Sequence, residues 1–274
     1  MNEIAVVQSY DLTAIADSAQ IMADLKEELG ADYRPDFAFA KTPSSARTVW
    51  DIKASEDDDD PEMAKTIEGV ILHAHKNYAW WAEKLDSGSG SGQPDCRSMD
   101  GVTGYTKDGM PHDCASCPCN QFGSDGAGKA CKNGRRVYII REGDMLPIRI
   151  DLAPTGNKPY EKYVDNLLLP RKKGQKPMRP GQVVTRIGLK VETNAAGTKY
   201  SVPTFECVGA VPDEARPALL KMADNLKQAS MAAFAPDEAR PALLKMDDNL
   251  KQASMAAFAP VPEDQIPAEF ASVE

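Results

Sequence analysis

Arg136–Leu152 reads RVYIIREGDMLPIRIDL. It contains two compact strand signals, RVYIIR and LPIRIDL, rich in the β-branched and aromatic residues that suit a pleated, half-buried surface. Working outward, Val183–Glu192 (VVTRIGLKVE) and Tyr200–Val208 read as two more strands. Tyr160–Leu169 (YEKYVDNLLL) has helical periodicity and falls between the second and third of these four. Upstream, Ile67–His75 (IEGVILHAH), at the core of Thr66–Trp80, is a fifth strand, and Ala46–Ile52 (ARTVWDI) is a short further candidate. About five strands with one helix before the last pair predict a mainly β, α+β chain. The arrangement fits a Greek-key barrel of the OB type with an insertion between strands.

The flanks are of another kind. Residues 1–30 carry apolar positions near helical spacing, among them Leu12, Ile15, Ala19, Met22 and Leu25, and predict an N-terminal helix that stops at Gly30. Residues 31–46 look irregular. Asp57–Asp60 is four aspartates in a row without the spacing or glycine of a calcium loop, and reads as a solvated acidic turn. Pro212–Ala235 recurs as Pro236–Ala259 with one change, Ala223 becoming Asp247. Ala218, Leu219, Met222, Leu226 and Ala229 form one stripe, so each copy predicts a short amphipathic helix. The organisation expected is a helix and irregular arm over 1–45 and an OB-like domain over 46–210. A duplicated helical segment over 211–260 and an acidic mobile tail over 261–274 complete it.

The chain has 274 residues and a net charge of −9. Residues 1–60 hold 5 basic and 14 acidic side chains, whereas residues 129–200 hold 16 basic and 6 acidic ones, a net of +10. A basic middle between acidic ends suggests an anion-binding surface. No apolar run approaches the roughly 20 residues that span a bilayer. MNEIAVVQSYDLTAIADSAQ lacks the basic and apolar regions of a signal peptide, so the expected location is the cytoplasm. There cysteines stay reduced, and clustered ones point to metal before disulfide.

Cys96-x17-Cys114-x2-Cys117-x13-Cys131 is such a cluster. A Cys-x2-Cys turn lets two thiolates reach one tetrahedral ion and two more sulfurs close it, which predicts a structural zinc on Cys96, Cys114, Cys117 and Cys131. Cys119, two residues on, is expected to face away; His112 could replace one sulfur; Cys207 reads as a core cysteine. A closed four-sulfur site leaves no place for water and argues for scaffolding.

Asp100-Gly101-Val102-Thr103-Gly104, Cys117-Pro118-Cys119-Asn120-Gln121-Phe122-Gly123-Ser124 and Gly128-Lys129-Ala130-Cys131-Lys132-Asn133 resemble a group of phage and prophage proteins. The likeness continues through Val137-Tyr138-Ile139 to Val183-Val184-Thr185 and covers roughly residues 65–210. Cys119 and the duplicated tail depart from the pattern. The resemblance implies a single-stranded-DNA-binding protein, OB fold with an inserted zinc ribbon, acting in phage or prophage DNA replication or recombination. Such proteins hold phosphates in a basic groove and stack bases on aromatics. The residues that offer both are Trp80, Trp81, Lys132, Arg135, Arg136, Tyr138, Lys158, Tyr160, Arg171, Lys172 and Lys173. The tail around Ile266 and Phe270 looks like the partner-recruiting tips of bacterial single-strand-binding proteins. No enzymatic activity is expected. A zinc-dependent nuclease using His73, His75, Asp95, Asp100 or Asp113 and a zinc-stabilised protein-interaction adaptor are the alternatives.

Overall fold

The computed structural model describes residues 5–7, 10–12, 37–82, 94–169 and 175–232, together with 21, 24, 25 and 27–30. Eleven strands form one mixed sheet: β1 (Phe39–Lys41), β2 (Trp50–Lys53), β3 (Glu62–Ala64), β4 (Thr66–Trp80), β5 (Cys96–Ser98), β6 (Thr103–Thr106), β7 (Pro111–Asp113), β8 (Lys132–Ile140), β9 (Ile148–Leu152), β10 (Val183–Thr193) and β11 (Lys199–Ala210). The helices α1 (Asn157–Leu168) and α2 (Arg216–Ala232) accompany them. The chain is thus mainly β. Among the described residues no helix is long and apolar enough to cross a membrane.

The sheet runs β3-β2-β1-β9-β8-β4-β5-β6-β7, with β10 on β4 and β11 on β10. Every ladder is antiparallel except β1 with β9. The 15-residue β4 organises it. One edge of β4 meets β8; the other meets β10 through Thr66–Val70 and β5 through Tyr78–Trp80. Among the described residues no ladder joins β9 to β11.

VYII in β8 is apolar throughout because both of its faces are covered. Val137 and Ile139 enter a core with Trp50, Ile67, Ile71, Ile150, Ile187 and the α1 residues Tyr160, Tyr163 and Leu167. Tyr138 and Ile140 point the other way, into a second core with Val70, Leu72, Val184 and the α2 residues Leu219, Met222 and Leu226. Leu219, Met222 and Leu226 of the stripe read for the first repeat copy are therefore on the buried face of α2, with Ala215 and the half-buried Ala223 packed beside them. Ala218 is exposed. The second copy lies outside the described residues.

One local finding departs from the sequence pattern, and one agrees with it. Residues 5–7 are not helical: Val6 bridges Ala210 in parallel, and the Ala210 and Val7 amides donate to the Ala5 and Ala210 carbonyls at 2.7 and 2.9 Å. A short β-branched run beside a strand end exchanges more hydrogen bonds there than in a frayed first turn. Among the described residues of the predicted helix, 21, 24, 25 and 27–29 are helical. The acidic run is an ordered turn, in which the Asp58 carboxylate accepts from the Ala54 and Asp60 amides at 2.8 and 3.1 Å.

Gly69 marks the tightest approach in the sheet. A Cβ there would lie 2.2 Å from the Ile140 carbonyl oxygen, a backbone atom that cannot swing aside. Gly69→Ala is expected to lower stability by the upper end of roughly 1–3 kcal/mol, as for overpacking elsewhere. Urea unfolding checks it; an unchanged midpoint would show that the ladder relaxes.

Candidate metal centre and nucleic-acid face

The cysteines lie between β4 and β8, in a unit built on the far end of β4. The ladder sets Trp80 opposite Cys96, and β5, β6 and β7 continue as an antiparallel meander. Cys114 follows β7, Cys117 precedes a single 3-10 turn over Pro118–Asn120, and Cys131 directly precedes β8. The Cys131 amide donates to the Cys119 carbonyl at 2.8 Å, which closes the loop between them.

Cys96, His112, Cys114, Cys117, Cys119 and Cys131 all line one cavity of about 110 Å³, with Tyr78, Trp80 and Asn120. Cys96 Sγ lies 3.3 Å from His112 Nε2. Gly104 makes room for that pair, since a Cβ there would come within 2.8 Å of the imidazole nitrogen. Cys119, expected to face away, lines the same cavity as the four predicted ligands, at the 3-10 turn that follows Cys117. All six cysteines are free thiols. Cys207, on β11, is half-buried against the first core.

Burial, and then the neighbouring sulfurs, push the Cys96 thiol up to about 11 and the Cys131 thiol up to about 12. Among the described residues no three His, Cys, Asp or Glu side chains are drawn together tightly enough to form a finished metal site. The cysteines surround a space rather than close on a point.

Asn120, absent from the predicted site, organises the knuckle. Its buried amide donates to the Cys114 carbonyl at 2.7 Å, and its oxygen accepts from Asn133 Nδ2 at 2.9 Å and Lys129 Nζ at 3.3 Å. Only its place between two loop cysteines hinted at this. The acids near the cysteines are occupied in turns. Asp100 accepts from Ser98, Val102 and Thr103, Asp113 accepts from the Ser116 amide, and Asp95 accepts from the Ala82 amide and pairs with Lys107.

The nucleic-acid candidates scatter more widely. Tyr138 and Tyr160 are 7% and 8% exposed, so both rings are committed to packing rather than presented for stacking. Trp80 and Trp81 are half-buried, Trp80 against the cysteine cavity. Lys132 pairs with Asp125 at 3.2 Å and Arg135 with Glu161 at 2.9 Å, the Arg135 guanidinium lying over the Tyr160 ring. Lys158 is exposed on α1. Arg171, Lys172, Lys173, Ile266 and Phe270 lie outside the described residues. The basic block is therefore largely offset in space. Arg136 pairs with Asp151, Arg141 with Glu62 and Asp144, and Arg186 with Glu68 and Glu206.

Register aligns part of this set across one face. His73, Tyr138, Arg149 and Phe39 form one row over β4, β8, β9 and β1, and His75, Arg136, Asp151 and Lys41 form the next. Directly paired residues point to the same side of a sheet. The Arg149 guanidinium and Lys41 ammonium lie 4.8 and 5.0 Å from the Phe39 ring centroid. Asp151 joins the rows, accepting from Arg136 Nε at 2.7 Å and pairing with Arg149 Nε at 3.4 Å. His73 stacks on Tyr138, and Lys227 of α2 adds to the burial that lowers its pKa.

His75 is pushed down to about 4, by burial first, with Arg136 and His73 adding to the shift while the Lys76 carbonyl and Asp151 oppose it. Between the ordinary value of 6.5 and about 4, the unfolded chain binds more protons than the folded one. Stability that is complete above pH 6.5 should therefore fall as pH drops through that window, by roughly 3 kcal/mol. His75→Gln should flatten this decline in urea unfolding at pH 7 and 4.5. An equally steep loss in the variant would remove His75 as its source.

No protein-family model, curated protein or solved structure matches the chain.

Proposed function

We propose that this protein is a non-enzymatic, sequence-tolerant single-stranded DNA-binding protein of phage or prophage replication and recombination, its cysteine unit held by one structural zinc. The observation that carries the reading is the double row on β4, β8, β9 and β1. It places Arg136, Arg149, Lys41, His73 and His75 around Tyr138 and Phe39 on one face. Guanidinium and ammonium groups suit phosphates, and aromatic neighbours hold them in place.

The strand order supports it. β4, β8 and β9 form an antiparallel meander, α1 follows, β10 returns to pair with β4, and β11 forms a hairpin with β10. This order supports an OB-type reading, in which the second and third strands carry the oligonucleotide face beside the loop between strands one and two. That loop is here the cysteine unit. β1 takes the place beside β9 where a closing strand would lie.

The donor chemistry fits zinc. Soft thiolates suit the ion, and several thiols crowded in one buried cavity repel each other as anions, which a divalent cation reverses. Cys96, Cys114, Cys117 and Cys131 would hold it, with Cys119 and His112 at the same cavity. Bound there, the ion supplies cross-linking rather than reaction chemistry. The acidic tail would recruit replication or recombination proteins.

The test is a titration of labelled oligonucleotides across salt concentrations. Binding should weaken linearly on a log–log plot, with a slope of about −0.7 per phosphate contacted. No binding at low ionic strength would sink the reading. Metal-dependent cleavage of the same strand would favour the nuclease alternative.

A further inference from the structure

Phe122 is the most exposed large apolar side chain among the described residues, at 81%. It stands on the cysteine unit, in a loop that is firmly held. Gln121 Nε2 donates to the Ala115 and Cys117 carbonyls at 2.7 and 3.3 Å. Ser124 Oγ shares its one proton between the Cys119 and Gln121 carbonyls, at 3.0 and 2.7 Å, and accepts from the Ala130 amide at 2.9 Å. The Gly123 amide donates to the Gly128 carbonyl at 2.9 Å, and Gly123 takes a φ of +94°, which turns the chain immediately after the ring. So many bonds on both sides leave the ring little freedom to fold back onto apolar surface.

The ring also has a cation beside it. Lys129 Nζ lies 5.0 Å from the ring centroid, and the same ammonium is 3.3 Å from the buried Asn120 oxygen. An aromatic presented to solvent, with an ammonium fixed against it, matches a nucleotide, whose base stacks while its phosphate seeks positive charge.

We propose that Phe122 is a base-stacking platform for single-stranded DNA, with Lys129 as its phosphate-side cation. This rests on the single-strand-binding reading above and adds a contact on the cysteine unit, away from the double row on the sheet. Charge favours a nucleic-acid strand over an apolar protein segment as the occupant, because burying the ring against apolar surface would also desolvate Lys129.

The test uses the full chain, a fluorescein-labelled oligothymidine and the same strand with abasic sites. Phe122→Ala should weaken oligothymidine binding about tenfold, the scale of one stacked base, and Phe122→Tyr should restore it. On the abasic strand, Phe122→Ala and the unsubstituted protein should bind alike. Thermal unfolding should not shift, because an exposed ring adds nothing to the core. If Phe122→Ala binds oligothymidine as tightly as the unsubstituted protein, the platform is overturned while the single-strand reading stands, and the ring becomes a protein contact. If the unsubstituted protein binds no strand at low salt, both fall.

Discussion

Purified under reducing conditions, the protein is expected to carry one zinc ion per chain, and Cys131→Ser to lose it together with much of the order of the cysteine unit. The expectation rests on where Cys131 sits. It is buried immediately before β8, its amide bonds the Cys119 carbonyl, and burial and then the nearby sulfurs push its thiol up to about 12. A thiol so placed resists ionisation on its own, and a bound cation would supply the opposite charge that stabilises its thiolate. Apparent binding energies of structural zinc in small finger peptides are about 10–16 kcal/mol at neutral pH, so losing one of four ligands should cost several kcal/mol here. Metal analysis and thermal unfolding with and without a chelator give the readout. Cys119→Ser is the discriminating companion. Full zinc in that variant keeps Cys96, Cys114, Cys117 and Cys131 as the ligand set, and loss of zinc moves Cys119 into it. Protein that contains no zinc and is indifferent to chelator would remove the metal.

Asp151→Asn is the second large effect. Asp151 sits between Arg136 and Arg149, and the three side chains are only 18%, 23% and 25% exposed. Its carboxylate lets two guanidiniums share one small area of sheet. Removing that charge while leaving its shape strands two like charges in a partly desolvated place. Breaking one partner of a buried pair typically costs about 3–5 kcal/mol, and partial exposure puts this case toward the lower figure. The same substitution should tighten single-strand binding, since both arginines would be released to phosphates. Urea unfolding and the oligonucleotide titration, run on one preparation, test the two halves. A stability loss below about 1 kcal/mol would mean that solvent already screens the cluster.

The parts of the fold legible in the sequence are those with a period long enough to see. β4, β8, β10, β11 and α1 are 9 to 15 residues long and carry unbroken apolar or helical patterns. β1, β3, β5, β6 and β7 have three or four residues, too few for any period, and exist because longer neighbours offer them an edge. The cysteine cluster was legible from spacing, but the place of Cys119 was not, because the direction of a side chain in the 3-10 turn after Cys117 has no signature in cysteine spacing. The pairing of the basic residues was the least legible feature. Charge counted along the chain cannot register partners distant in sequence, and the acids that offset Arg141 and Arg186 include ones 79 and 118 residues away. The double row escaped notice for the same reason. Phe39, His73, Tyr138 and Arg149 become neighbours only through register.

The duplicated segment gives the fold an unusual tolerance to loss. α2 closes the second core with Leu219, Met222 and Leu226, and the chain encodes the same three residues again as Leu243, Met246 and Leu250. Excising residues 236–259 leaves the sequence of α2 unchanged. Excising residues 212–235 instead joins the second copy to Val211 in frame, and the two shortened chains then differ at one position, alanine in the first and aspartate in the second. That position is Ala223, packed at the margin of the core. Loss of a whole helix is thereby reduced, at the level of the gene, to a single point substitution.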